Sequence, residues 1–209
     1  MLATHKPFAA VALAVVVALL PGCGSHDPTP ASSVRLNAVP LIADQGSAAR
    51  VYGSLAELAG DSSALVVGLP TGHRSEVPLP ANEGGGPESA PTTYAEMKIV
   101  RVLSGSVTGE TVKVVSPGID QNSGQPALLT GGPFLMYLTP AMYNANGPAG
   151  GYAITGGPAG VYAGSGGEAD LFARIDTESP ALPAFVDLRS TTPPRVTHSA
   201  SELLDLGPR

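Results

Sequence analysis

Thr92-Thr93-Tyr94-Ala95-Glu96-Met97-Lys98-Ile99-Val100-Arg101-Val102-Leu103 is the stretch that decides the fold. Ala95, Met97 and Ile99 alternate with Tyr94, Glu96 and Lys98, which is the period-two pattern of a strand with one buried face. After Ile99 the phase shifts by one. Val100 and Val102 become the apolar positions and Arg101 the polar one. A one-residue shift inside a strand is what a β-bulge produces, and a bulge bends its sheet. Ser104-Gly105-Ser106 then turns the chain. Residues 111–115, with Val112 and Val114 inward and Lys113 outward, read as the hairpin partner.

Upstream, residues 64–69 (Ala-Leu-Val-Val-Gly-Leu) are apolar on both faces, which predicts a central strand. Gly68 marks a bend or a close backbone approach in it. Before it, Ser54 with Glu57 three residues on has the capping-box pattern. It predicts a short helix over 54–59 with Leu55 and Leu58 on one face, ended by Gly60-Asp61 and lying as a small lid on the domain. Residues 70–91 read as a long polar loop. Val77 and Leu79 extend the first strand or form an edge in an alternative reading, but Pro78 and Pro80 keep them out of the centre of a ladder.

Downstream, strands are predicted over 134–139 after the Gly131-Gly132-Pro133 break, over 152–155 and 161–163 around a turn at 156–160, and over 169–175. Prolines 180, 183, 193 and 194 predict an irregular, surface-lying segment from 176 onward, with a helical turn near 201–206. Five to seven short strands with little helix make an all-β sandwich or barrel pattern. The bulged strand and the glycines favour a small closed barrel.

With 26 Gly, 21 Pro, no Trp and 13% charged residues, the chain has room for one domain plus tails. The net charge is −6 and the basic residues are scattered singly. Nucleic-acid binding calls for clustered Lys and Arg, so no nucleic-acid partner is expected. The chain has one cysteine, Cys23, which excludes an internal disulfide framework and a cysteine zinc site.

The N-terminus reads as an export leader. Lys6 with His5 makes a short positive region, and residues 8–20 form an uncharged apolar run. As a helix that run is roughly 20 Å long, short of the ~30 Å hydrocarbon core, so it is a signal region rather than a span. Pro21 and Gly22 break it and leave the backbone open to a peptidase. Leu20-Pro21-Gly22-Cys23 resembles the lipobox of bacterial lipoproteins, with Leu20 at −3, Gly22 at −1 and Cys23 as the modified residue. Pro21 departs from the small or aliphatic residue usual at −2.

The resemblance implies cleavage before Cys23 and a diacylglyceryl group on its sulfur. Two acyl chains give stable anchoring where one does not. The alternatives are an ordinary export signal with a coincidental cysteine, or an uncleaved anchor. The expected organisation is therefore signal peptide over 1–22, lipidated Cys23 and flexible tether over 23–48, barrel domain over 49–175, and Pro-rich tail over 176–209. The chain would sit at the cell membrane on its extracytoplasmic side. As a coil the tether spans roughly 25–30 Å.

The order of features in the body is similar to TIMP/netrin-like OB-fold domains of exported bacterial proteins. The matching segments are 63–68 (Ser-Ala-Leu-Val-Val-Gly), 101–105 (Arg-Val-Leu-Ser-Gly), 109–114 (Gly-Glu-Thr-Val-Lys-Val), 132–138 (Gly-Pro-Phe-Leu-Met-Tyr-Leu) and 156–162 (Gly-Gly-Pro-Ala-Gly-Val-Tyr). From first to last these segments span about half of the chain beyond the leader. The resemblance implies a small OB-like barrel preceded by a short helix. Animal inhibitors of this type use a free N-terminal cysteine and a disulfide to it. An acylated Cys23 without a disulfide partner does not carry that route over.

Reactive chemistry is not assembled by any motif. His5, His26, His73 and His198 have no metal-ligand spacing, and there is no His-Glu-x-x-His, Gly-x-Ser-x-Gly or Gly-Lys-Ser/Thr. No catalytic residue, metal site or cofactor is expected. Tyr137, Tyr143, Tyr152 and Tyr162 concentrate with Asn144 and Asn146. Such a cluster can stack on sugar rings or grip a peptide. The plainer expectation is that Tyr137, Tyr152 and Tyr162 half-cover the ends and edges of the barrel. Tyr143, Asn144 and Asn146, between Pro140 and Pro148, are then the exposed candidate ligand face. The expected function is an interaction module for an envelope protein or glycan, against two alternatives: a binder of a small saccharide or lipid, and an envelope enzyme inhibitor.

Overall fold

The first described β-pairing is at Ile42 in the computed structural model, which describes residues 42–43, 50–77, 92–144, 147–164 and 170–206. The leader, the Leu20-to-Cys23 motif, residues 78–91 of the expected loop, Asn146 and most of the expected tether lie outside the described residues.

In chain order the elements are β1 (Ile42–Ala43), α1 (Leu55–Gly60), β2 (Ala64–Val77), β3 (Thr92–Gly105), β4 (Thr111–Val115), β5 (Ile119–Asp120), β6 (Phe134–Asn144), β7 (Gly147–Ile154), a 3₁₀ turn (Gly157–Gly160), β8 (Val161–Gly164), β9 (Leu171–Arg174), β10 (Phe185–Asp187) and α2 (Ala200–Leu206). The class is all-β as expected, with ten strands among the described residues rather than five to seven. β1 and β5 form a separate two-stranded pair, so Ile42 and Ala43, within the segment read as tether, are paired.

The other eight strands form one sheet, and five of them form a ring in the order β6-β2-β3-β4-β7. β7 pairs back to β6 through five residue pairs, from Leu138 with Ile154 to Asn144 with Gly147. The last side of the ring is parallel and consists of one residue pair, Val114 with Tyr152. The result is a partly open, OB-like five-stranded barrel. β8, β9 and β10 extend the sheet from the other edge of β6.

The bulge predicted by the phase shift is present. Val67 pairs with Arg101 and Gly68 with Ile99, so Val100 is the extra residue, and Leu103 is a second one. The side chains do not follow the phase of the sequence, however. Val100 and Val102 are 57% and 44% exposed, and Leu103 is the one that packs inward. Two bulges in four residues turn the strand twice, so the apolar alternation no longer tracks one face.

β2 is central, between β3 and β6, and its first five residues, Ala64 to Gly68, are buried on both faces as expected. Residues 70–77, expected as part of a polar loop, instead continue the strand with mostly exposed side chains, because Arg74 to Val77 pair with Thr92 to Ala95 of β3. Ala64 and Val66 enter a first core inside the ring with Met97, Val114, Phe134, Met136 and Leu138. Leu65 and Val67 enter a second core outside it, with Leu135, Tyr137, Tyr162, Phe172 and Val186. α1 covers this second core with Leu58 and Ala59, so the lid expectation holds. Its capping also follows the sequence. Ser54 Oγ accepts from Glu57 N–H at 3.3 Å, and the Glu57 carboxylate accepts from Gly53 N–H at 3.0 Å.

Two sequence expectations are corrected here. Tyr137 and Tyr162 are fully buried rather than half-covering edges. Residues 176 onward are not a surface-lying tail, because Leu182, Val186 and Leu203 are buried and β10 extends the sheet. The prolines interrupt regular structure there without preventing isolated apolar side chains from anchoring the segment. Among the described residues no helix is long and apolar enough to cross a membrane.

Candidate functional site

The open side of the ring creates the site. β4 is paired with β3 over five residue pairs, but with β7 over one. Two left-handed glycines bring β7 past β4 at this point. Gly151 has φ +71°, and a Cβ there would stand 2.6 Å from the Lys113 carbonyl oxygen, so only glycine lets the two backbones approach. Gly150 has φ +76° with open space where its Cβ would be.

Beside this contact lies a groove of about 400 Å³. Thr111, Val112 and Lys113 of β4 line one side, and Pro140, Ala141 and Tyr152 of the β6–β7 hairpin the other. Tyr152 is held in place, since its Oη accepts from Thr108 N–H at 3.4 Å and its ring packs on the first core. Lys113 is the one charged side chain of the described lining.

α2 forms the rim of the groove through Ala200 and Leu204, while Leu203 is buried beneath it. A reciprocal capping box starts this helix. Ser199 N–H donates to a Glu202 carboxylate oxygen at 2.6 Å, and Glu202 N–H donates to Ser199 Oγ at 3.2 Å. The backbone and hydroxyl donors of Ser199 hold the Glu202 carboxyl below its ordinary pKa. The incoming segment is pinned by Val196 N–H donating to Ser104 Oγ at 3.0 Å.

Of the sequence candidates, Tyr143 and Asn144 lie on β6, a strand rather than the expected loop, and Asn144 pairs with Gly147 at the end of the hairpin. Asn146 lies outside the described residues. The same hairpin thus carries the candidate tip and one wall of the groove. The groove itself escapes sequence reading because its lining comes from four separated segments. The Ser199-to-Glu202 spacing was the available signal for α2.

Other polar clusters serve the fold. The Asp120 carboxylate accepts from Asn122 N–H at 3.2 Å and Ser123 Oγ at 2.7 Å, which closes its own loop. His73 is exposed on β2, far in sequence from the groove lining. Among the described residues no group of three or more His, Cys, Asp or Glu side chains is placed to hold a metal ion.

No protein-family model matches the chain, and neither the curated proteins nor the solved structures contain a match to it.

Proposed function

We propose that this chain is an envelope lipoprotein, held at the membrane by a diacylglyceryl group on Cys23, whose barrel binds a protein or glycan partner through the groove at its open side. The observation that carries the binding half is a contrast. The interior of the ring is packed with the side chains of the first core, while the concave space beside it is open to the surface. A filled interior favours a surface partner over an enclosed lipid or other small ligand. The groove supplies a fixed aromatic ring, threonine hydroxyls and one ammonium group, which are contacts for an extended polar chain. The similarity of the body to TIMP/netrin-like domains supports an exported module of this kind.

Two measurements test the two halves. Cys23→Ala is expected to release the protein from the membrane fraction or leave it as uncleaved precursor. Mature-sized protein that still sediments with membrane would end the anchoring half.

For the groove, the anchored protein is crosslinked in cells and its partners are compared between variants. Thr111→Trp with Lys113→Glu changes two exposed positions and is expected to cut the crosslinked product by about tenfold, equivalent to ~1.4 kcal/mol. An unchanged yield from a variant that melts like the parent overturns the groove as the binding face. Tyr143→Ala, in the same experiment, reports on the hairpin tip separately.

A further inference from the structure

Among the described residues three buried polar atoms have no hydrogen-bond partner: Tyr137 Oη and Tyr162 Oη of the second core, and Asp176 Oδ2. Each is cut off from solvent, and such a group costs about 1–3 kcal/mol if it is left unsatisfied. A native core does not keep three together without compensation.

Their positions converge. Leu135 of β6 pairs with Tyr162 of β8, so Tyr137, two residues along on the same face, is the diagonal neighbour of Tyr162. Tyr162 in turn pairs with Arg174 of β9, and Asp176 follows two residues later, on the other diagonal. Both tyrosines face the second core. Tyr162 is also near enough to act electrically on Tyr137, and Asp176 on Tyr162. Burial, then the neighbouring Tyr162, pushes the Tyr137 phenol well above its ordinary pKa. Burial first, with Asp176 adding to it and Arg174 opposing it, does the same for Tyr162.

The remaining neighbours are engaged elsewhere. Asp176 Oδ1 accepts from Glu178 N–H at 2.9 Å, which leaves Oδ2 buried without a partner. Arg174 Nη1 donates to the carbonyls of Ser179 and Leu182, the latter at 2.5 Å, and so ties down the loop rather than capping the phenols.

We infer that one water molecule is bound inside the second core, accepting from the hydroxyls of Tyr137 and Tyr162 and donating to Asp176 Oδ2. The donor count selects this ligand. Two neutral phenols offer two O–H donors and the carboxylate offers an acceptor. A water has two lone pairs for the first and a proton for the second, and three hydrogen bonds is the usual number for a buried water. An anion would meet the carboxylate, and a metal ion would find a single charged oxygen. The bound water links β6 and β8 to the 176–182 loop, and it explains why two tyrosines, rather than phenylalanines, are kept at fully buried positions.

The test is the sign of a change in melting temperature. In the full chain, Tyr137→Phe and Tyr162→Phe each remove one hydroxyl and keep the ring. A hydroxyl without a partner would be a burden, and its removal would raise Tm or leave it unchanged. With the water in place, each variant is expected to lower Tm by about 2–4 °C. The double variant is expected to lose less than the sum, because both hydroxyls share one water. A rise in Tm, no change, or strict additivity overturns the inference. A high-resolution crystal structure of the parent supplies the second measurement. A single density peak at hydrogen-bond distance from all three oxygens supports it, and direct tyrosine–aspartate contact or metal-length coordination overturns it.

Discussion

Gly105→Ala is expected to cost about 4 kcal/mol and to lower Tm by roughly 8–16 °C, although the residue lies at the surface. Two independent causes add. Gly105 has φ +72°, and the left-handed conformation costs an L-residue about 1–2 kcal/mol. A Cβ there would also stand 2.0 Å from the Ser63 carbonyl oxygen and 2.7 Å from Val196 Cγ2. The first of these is backbone and cannot rotate away. Ser63 is itself fixed, because its N–H donates to the Leu138 carbonyl at 2.8 Å at the start of the β2–β6 ladder. A methyl group at 105 therefore forces β3 away from the point where β2 begins. Ser106→Ala, one residue on and exposed, is the control and is expected to stay within about 0.5 kcal/mol. Chemical denaturation of both variants decides the matter: a Gly105→Ala midpoint equal to the control's would refute the account.

Phe134→Ala is expected to cost about 3–5 kcal/mol. Phe134 is fully buried in the first core, and its cross-strand partners are Gly68 on β2 and Ala163 on β8. Both neighbours in the ladder are small, so the phenyl ring, with Met97 and Met136 beside it in the first core, fills much of the space they leave. A cavity left there cannot collapse easily, because Gly68 is already hemmed in, with Met136 Cε 2.8 Å from where its Cβ would be. Phe134→Leu keeps much of the volume and is expected to lose less than half as much. Equal losses for the two variants, measured by urea unfolding, would show that ring volume is not what matters at this position.

Much of the fold was legible along the chain. The phase shift at Ile99 and Val100 located a real bulge, and the two-sided apolar run at 64–69 located a strand buried on both faces. The capping box at Ser54 located α1. What stayed hidden depends on contacts distant in sequence. β6 was expected to stop near Pro140, yet it continues to Asn144. The β2 ladder ends at Leu138, so Pro140 sits where β6 has a strand on one side only, a setting that tolerates proline.

The glycine-rich run that forms most of β7 has no alternating pattern to read, because backbone approach to Lys113 rather than side-chain packing determines it. Tyr137 and Tyr162 looked like edge residues because the second core that buries them is built partly from the proline-interrupted segment after 176. The groove was illegible for the same reason, since its walls meet only after the ring has nearly closed. The candidate ligand face at Tyr143 and Asn144 lies on the hairpin that supplies one wall of the groove.

β6 supplies Phe134, Met136 and Leu138 to one core and Leu135 and Tyr137 to the other, and it hydrogen-bonds to three strands along its length. No cut through the chain can therefore separate the ring from its three-stranded flank and leave each with a complete interior. The two must melt as one cooperative unit. Their most slowly exchanging amides belong on β2 and β6, where opening a single hydrogen bond requires giving up both cores at once.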